Sequence, residues 1–540
     1  MKKVFASILV ATAALNCYAQ WNGNAAENNR MGLPGKDYYD QQTVTNKEGV
    51  SYLITVQPNG QNEHQQSQLA HRLQVIDKDG KKLKEDGGEL FSNYGNRSYM
   101  VVNETAVLTK EGNLIYVVHD ARNSDPSLTY LGYSLYQFDP TGKEVWDEPW
   151  QVWNGEVFAG SAGFTMAPTD DGGLVVAFFT FSMVSEEPSK LRIEKFSAEG
   201  KSLWQRTLED SKIPYSYPYL RDAGDNQTIL VYAKGSQQFL MAKMLDFDGS
   251  DVWAKDAVIY QGGFDQIPLW THLQVNSAPE GGVYVSWRDE RDLSGSFSNY
   301  ISSIKNDGSY GFPDGANALK ISYADNFSRM APKIAVDKEN KCIYAVYNQF
   351  YQAEQSKKGI FMQKIGLDDE LMWDPEGVAV VDIQGERQVG YASVKLAEDG
   401  HIAVFWMDNA NNGFDAHCYC QKYDKEGTAL WKEPLNFATT ASEKSTLEVS
   451  DLIDGKYWIA NWKDNRDNVA TIAMMTTYMQ RVNIDGSLGD PTTGIEDTRL
   501  DQTADGTTTL YNLNGQRVNS AKGLVIEKRG ERVRKIIIRQ

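Results

Sequence analysis

Two stretches decide the fold: QFDPTGKEVW at Gln137–Trp146 and KYDKEGTALW at Lys422–Trp431. Each carries an acidic turn closed by glycine, with a tryptophan four residues past the glycine. The Asp or Asn side chain satisfies turn N–H groups and the glycine supplies a positive φ, so the unit reads as the end of one strand and the start of the next. The turn recurs as VIDKDG at Gly80, KFSAEG at Gly200, LDFDG at Gly249, IKNDG at Gly308, IGLDD at Asp369 and VNIDG at Gly486, which makes eight turns spaced 49 to 62 residues apart. Six of the eight have the later aromatic: Trp146, Trp204, Trp253, Phe312, Trp373 and Trp431. The first and last units lack it, as terminal repeats often do.

Working outward, each unit has an earlier strand with its own turn, such as EGNLIYVVHD from Glu111, GGVYVSW ending at Trp287, DGHIAVFW ending at Trp406 and DGKYWIANW ending at Trp462. A further alternating strand precedes several of these, as in PKIAVD from Pro332 and YASVKLAE from Tyr391. A repeat is therefore a four-stranded antiparallel blade. A blade cannot bury both faces alone, and stacking in a ring leaves no exposed end. The expected fold is all-β, an eight-bladed β-propeller over 20–490 with the aromatics sealing the seams between blades. If the degenerate first and last units pair to close one blade, the count becomes seven. A second recurrence follows the inner strands: HDARN from His119, WRDERD from Trp287, WMDNANN from Trp406 and WKDNRDN from Trp462. The spacing predicts rim ion pairs Asp120–Arg122, Asp289–Arg291 and Asp464–Arg466 that fix the loops, with presentation of hydrogen-bonding groups to a ligand as the alternative.

Composition agrees with this reading. The chain has 540 residues, 28 Tyr, 20 Phe, 13 Trp and 45 Gly, and no stretch shows a sustained helical period. Its formal charge of -18 argues against nucleic acid, which needs a basic face. Residues 1–19 read as a signal peptide: Lys2 and Lys3, an apolar run from Val4 to Leu15, then Cys17-Tyr18-Ala19. The run is too short to span a membrane, and no later segment comes close. Lipidation of Cys17 is a rival, disfavoured by Asn16 before it. Past the leader stand Cys342, Cys418 and Cys420, too few and odd in number for a disulfide framework. His417 beside Cys418 and Cys420 suggests a metal site, but core cysteines are the simpler reading.

The units QFDPTGKEVW and KYDKEGTALW resemble the tryptophan-docking repeats of eight-bladed, pyrroloquinoline-quinone-type propellers over most of residues 48–490. The quinone-dependent alcohol dehydrogenases of that group carry adjacent cysteines, which this chain lacks. The turns also resemble the Asp-box of sialidases, although here the aromatic stands one residue further from the glycine. After PTTGIED at Pro491–Asp497, the stretch LYNLNGQRVNSAKGLVIEKRGERVRKIIIRQ from Leu510 to Gln540 resembles a type IX secretion C-terminal sorting domain. The matching features are Asn514-Gly515-Gln516 in a turn, Lys522-Gly523 before a strand, and a basic, β-branched last strand. That resemblance implies a small β module at 491–540 that engages the secretion machinery. It also implies passage from the periplasm to the outer surface of a Gram-negative cell, or release from it. Without the resemblance, the tail is a small Greek-key-like or hairpin module.

Catalytic motifs are missing from the sequence. It contains no HExxH, GxSxG, GxxxxGK or helix-opening GxGxxG. The histidines at 64, 71, 119, 272, 401 and 417 are scattered, with His401 expected in a strand. No catalytic, cofactor-binding or metal-binding residue is assigned, and the binding residues stay open. The favoured function is a binding or scaffold propeller for a glycan or protein ligand. The alternative is a carbohydrate-active hydrolase, sialidase-like or other, with carboxylates at the central funnel. Trp150, Trp153 and Trp270 fall outside the repeat position and are candidates for a surface platform, with packing of the outer strand the favoured alternative.

Overall fold

The computed structural model describes residues 21–490 except 62–66, 97–104, 121–131, 153–157, 183–184, 236–238, 263–272, 292–295, 313–317, 324–325, 369, 384–387, 411–413 and 468–473. In the tail it describes 508–512, 517–518, 523–529 and 532–538. Among the described residues the only helix is one 3-10 turn, Glu398–Gly400; all other regular structure is antiparallel strand.

Blade 7 shows how the sequence makes a sheet. Gln388–Leu396, Ile402–Ala410, Asp415–Tyr423 and Leu435–Ala438 pair in chain order from the inside of the ring outward. The acidic turn joins the third strand to the fourth: Gly427 N donates to Asp424 O at 3.1 Å, while Asp424 Oδ1 accepts from Glu426 N and Thr428 N. The expected order of strand, turn, strand, loop, strand, acidic turn and outer strand is thus observed. The other blades span 40–96, 106–152, 158–208, 215–261, 274–320 and 327–381. Blades 1 and 2 are also bridged by one residue pair, Gly95 with Asp120.

The count is eight. Lys444–Val449, Tyr457–Asp464 and Thr476–Asn483 form the last blade, and the N-terminal strand Asn29–Arg30 completes it by pairing with Met479 and Tyr478. The first and last units therefore do not merge, and seven blades are excluded. Eight apolar clusters fill the eight seams. The one that closes the ring joins Trp21, Met31, Ile453, Ile459 and Met479 to Leu53 and Ile76 of blade 1. Each large apolar side chain buried in a seam contributes about 1.5–3 kcal/mol.

In blades 3, 4, 6 and 7 the aromatic after the turn docks on the next blade's turn, while Trp150 takes that place against Gly200. Trp204 Nε1 donates to Phe247 O at 2.9 Å and Trp253 Nε1 to Asn306 O at 2.7 Å, each reaching one blade forward. Gly249, at φ +82°, lies flat against the Trp204 ring, where a Cβ would stand 2.7 Å from it. The two units without an aromatic have separate solutions. At the first, Lys84 lays its aliphatic stem against Gly142, as long charged side chains can. At the last, Trp21 takes the position from the other end of the chain, with Nε1 donating to Lys78 O at 2.8 Å beneath Gly80.

The tail strands Arg517–Val518, Thr508–Tyr511, Gly523–Arg529 and Arg532–Ile538 make a separate four-stranded antiparallel sheet in that order. Val525 and Glu527, two apart on one face, are buried. No helix among the described residues is long and apolar enough to cross a membrane.

Candidate functional site

Antiparallel blades put the short acidic turns on one face of the ring. The loops after each second strand, and the links between blades, lie on the other. Hooks with the W-x-D-x-R pattern brace this second face. Trp287 Nε1 donates to Asp289 Oδ2 at 2.8 Å, and Arg291 Nη2 donates to the same oxygen at 2.6 Å while its guanidinium lies 3.8 Å over the Tyr300 ring. Trp462, Asp464 and Arg466 repeat this at 2.9 and 2.7 Å, with Arg466 over Tyr478. Asp289 and Asp464 are fully buried. Burial works to raise the Asp464 pKa, but the Arg466 hydrogen bond and the charges of Lys444 and Arg466 outweigh it and hold the carboxyl below its usual value. The expected ion pairs form at these two sites and serve the fold. Arg122 lies outside the described residues.

Beside the hooks, the innermost strands are broken. Register shifts fall between Ser216 and Tyr219, Gly390 and Ser393, and Ser445 and Glu448, and the blade 6 inner strand is split into Phe327–Arg329 and Lys333–Asp337. These bulges face large aromatics on the second strand, namely Tyr232, Trp406, Trp462 and Tyr347. Pro218 and Pro332 explain two of the breaks, since proline cannot donate to the ladder. Tyr217, Tyr391 and Thr446 adopt left-handed backbone at φ +49°, +52° and +58°. For non-glycine residues that conformation is costly and concentrates at functional sites. Bulges also re-aim side chains next to such sites.

One cavity opens on this belt. It has a volume of about 460 Å³ and lies among blades 5, 6 and 7. Blade 5 contributes Gln274. Blade 6 contributes Met330, Ala331 and Lys333 from its inner strand, Val346–Asn348 and Phe350 from its second, and Lys358 from its third. Blade 7 contributes Val389–Ala392, including Tyr391, which is 45 % exposed. Asn348 Nδ2 donates to Val389 O at 3.1 Å and pins the two blades together under the opening. Arg288 backs the wall, with Nη1 3.1 Å from Met330 Sδ and its guanidinium over Phe297. The volume falls within the range of small-ligand sites. Two other cavities are built from surface groups. One holds Lys190 already paired with Glu209 at 3.0 Å, and the other is framed by turn residues such as Asn46 and Lys110.

A second group faces the ring axis. Glu448 on the blade 8 inner strand is reached by solvent, yet crowding by the surrounding ring raises its carboxyl pKa, and Asp40 adds to that rise while Lys333, Lys463 and Lys395 oppose it. Lys463 Nζ contacts Asp40 Oδ1 at 3.2 Å.

The remaining sequence candidates separate cleanly. Trp150 takes the packing role and not the platform one: it is buried, stacks on Trp146 at 3.6 Å and packs against Gly200, in the blade 2–3 seam. Trp153 and Trp270 lie outside the described residues, as do His64 and His272. Cys418 and Cys420 are buried in the blade 7–8 core and Cys342 in the blade 6–7 core. His417 points away from its neighbouring cysteines, since adjacent strand residues face opposite sides. Its ring nitrogens meet Asp415 at 2.8 Å and Asn436 at 3.1 Å. Among the described residues no cluster suits a metal ion. His401 sits just before its strand, donating its backbone N–H to Glu398 O. The cavity itself was missed in the sequence, although prolines inside alternating inner strands were a readable sign of the bulges.

No protein-family model matches the chain, and no curated protein matches it in sequence. Solved structures do resemble it. An alpha-L-arabinanase of Penicillium chrysogenum in complex with arabinobiose is 13% identical, with a TM-score of 0.33 over 60% of this chain and 94% of that one. The polysaccharide lyase Uly1 is 10% identical, with a TM-score of 0.39 over 75% of this chain and 93% of that one. Prolyl oligopeptidase B of Galerina marginata is 12% identical at a TM-score of 0.38, and here 80% of this chain covers 56% of the other.

Proposed function

We propose that the protein is an exported binding propeller that holds a glycan in the cavity among blades 5, 6 and 7. The observation that carries this is Tyr391. A half-exposed aromatic kept in strained backbone in a cavity wall, with the Gln274 amide lining the same cavity, suits a sugar ring: the apolar face stacks and the amide meets hydroxyls. The Gln274 and Tyr391 side chains make no hydrogen bond among the described residues. A glycan array followed by calorimetry on the hits tests the reading. Tyr391→Ala is expected to abolish binding without altering the melting temperature, and unchanged affinity in that variant would remove the cavity as the site.

Export completes the proposal, with residues 1–19 as a cleaved leader and 491–540 as a type IX-like sorting module. The separate sheet formed by the tail supports a self-contained module. Deleting Gly494–Gln540 is expected to trap the protein in the periplasm. Surface display or release of the truncated chain would reject that role.

Glu448 favours the alternative of glycan hydrolysis. A crowded carboxyl with a raised pKa is the form a general acid takes, and Asp40 is the nearby carboxylate that could complement it. Glu448→Gln should abolish turnover on array hits if this holds. Turnover that persists would eliminate the carboxylate mechanism.

A further inference from the structure

We infer that the cavity among blades 5, 6 and 7 selects sugars bearing an anionic group, carboxylate or sulfate, and holds that group between Lys333 and Lys358. The inference rests on the binding reading above and adds the ligand's charge to it.

The cavity gathers positive charge with no carboxylate in its lining. Several buried lysines of other blades have carboxylate partners: Lys195 meets Asp171 at 2.8 Å, Lys243 meets Asp256 at 2.6 Å, and Lys444 meets Asp464 at 3.6 Å, while Lys364 of blade 6 donates to Lys425 O. Lys422 likewise pairs with Glu398. Lys333 and Lys358 make no ion pair or side-chain hydrogen bond among the described residues, although Lys333 lies within the field of Glu448. The residues lining the cavity include both lysines and no carboxylate, in a chain with 72 acidic and 54 basic residues. A two-lysine cavity in so acidic a protein is a local reversal of sign.

The backbone positions of the two lysines are set by blade 6. Lys333 directly follows Pro332, whose missing N–H breaks the inner strand, and Lys358 lies opposite Phe350 in the register of blade 6. Lys333 is reached by solvent yet crowded by the surrounding ring. That crowding lowers its ammonium pKa, with Glu448 pulling the other way and Lys395 adding to the fall. A ligand anion would supply the compensation that nearby carboxylates give the other lysines. Arg288 behind Met330 adds positive potential to the same wall. The aromatic and amide groups in the cavity wall make the carrier of the anion a sugar ring rather than an acidic peptide, whose backbone would look for an open strand edge.

Calorimetry on the full chain tests this with four probes: digalacturonate, a sulfated digalactose, neutral digalactose and tetraglutamate. The expected result is binding of one or both anionic sugars, with neutral digalactose about tenfold weaker or worse, and a comparable loss in Lys333→Gln and in Lys358→Gln. Lys358→Arg should retain affinity, and carboxylate against sulfate is decided by which of the two acidic probes binds. Equal binding of neutral and acidic sugars, or affinity unmoved in both glutamine variants, overturns the anion inference. The cavity reading survives either of those results provided Tyr391→Ala still abolishes binding. Binding of tetraglutamate alone, or of no probe, overturns both.

Discussion

His71 shows how much one buried side chain can set the behaviour of this ring. It is 1 % exposed, its ring centroid sits 6.0 Å from those of both Phe91 and Tyr116, and neither ring nitrogen has a hydrogen-bond partner among the described residues. Burial pushes its pKa down to about 3, and does the same for His119, which stacks on Tyr133 at 4.8 Å. The folded chain thus keeps His71 neutral where the unfolded chain would protonate it. The associated stability is complete above the ordinary histidine pKa of about 6.5 and is lost as pH falls toward 3, at about 1.4 kcal/mol per pH unit for each histidine. His71→Phe should therefore gain on the parent protein as pH drops. Urea midpoints at pH 7 and pH 4.5 measure this, and an equal offset at both values would contradict it. Nothing in QLAHRLQV around His71 distinguishes it from a half-exposed histidine, because its environment comes from Phe91 and Tyr116 on other strands.

At the scale of the element, the W-x-D-x-R hooks and the inner-strand bulges respond differently to sequence reading. The hooks were legible because each is complete within five residues: indole, carboxylate and guanidinium meet across a single strand end. Asp464 is the hook to test. Its carboxylate receives Trp462 Nε1, Arg466 and Ser442, with Lys444 at 3.6 Å. Asp464→Asn keeps the size but leaves two cations without their counter-charge, so a loss of about 3–5 kcal/mol is expected, read from denaturant unfolding. A change under about 1 kcal/mol would mean the hook is ornamental to blade 8. The bulges were not legible as a set. Pro218 and Pro332 mark two of them, but those at Tyr391 and Thr446 have no local signature, since they answer to Trp406 and Trp462 on the facing strand.

At the scale of the whole molecule, closure depends on a short N-terminal segment. Trp21 is 2 % exposed and fills, from the opposite end of the chain, the docking position that the last repeat lacks. Its outer strand, Asn29–Arg30, is only two residues long. The aromatic therefore carries much of the 8–1 seam. Trp21→Ala is expected to cost about 3–5 kcal/mol, the range for emptying a buried aromatic site, and Trp21→Phe about 1 kcal/mol for the lost hydrogen bond to Lys78. Thermal unfolding of the two variants beside Trp253→Ala, an internal seam, checks this. A Trp21→Ala protein as stable as its parent would show that the ring closes without the dock.

The sequence by itself determined the blade, its turn chemistry and the eight acidic turns, and left seven or eight blades open until the pairing of Asn29–Arg30 decided it. The blade and its turns depend on residues within about ten positions of one another, where alternation, a glycine at positive φ and an aromatic four places on act through local backbone geometry. Tertiary structure alone decided how the circle closes and what the cavity contains. Trp21 docks under Gly80, and Gln274, Lys333, Lys358 and Tyr391 meet only because three blades pack side by side. Charge and shape at such a meeting point are sums over distant segments, and no short stretch of the chain carries them.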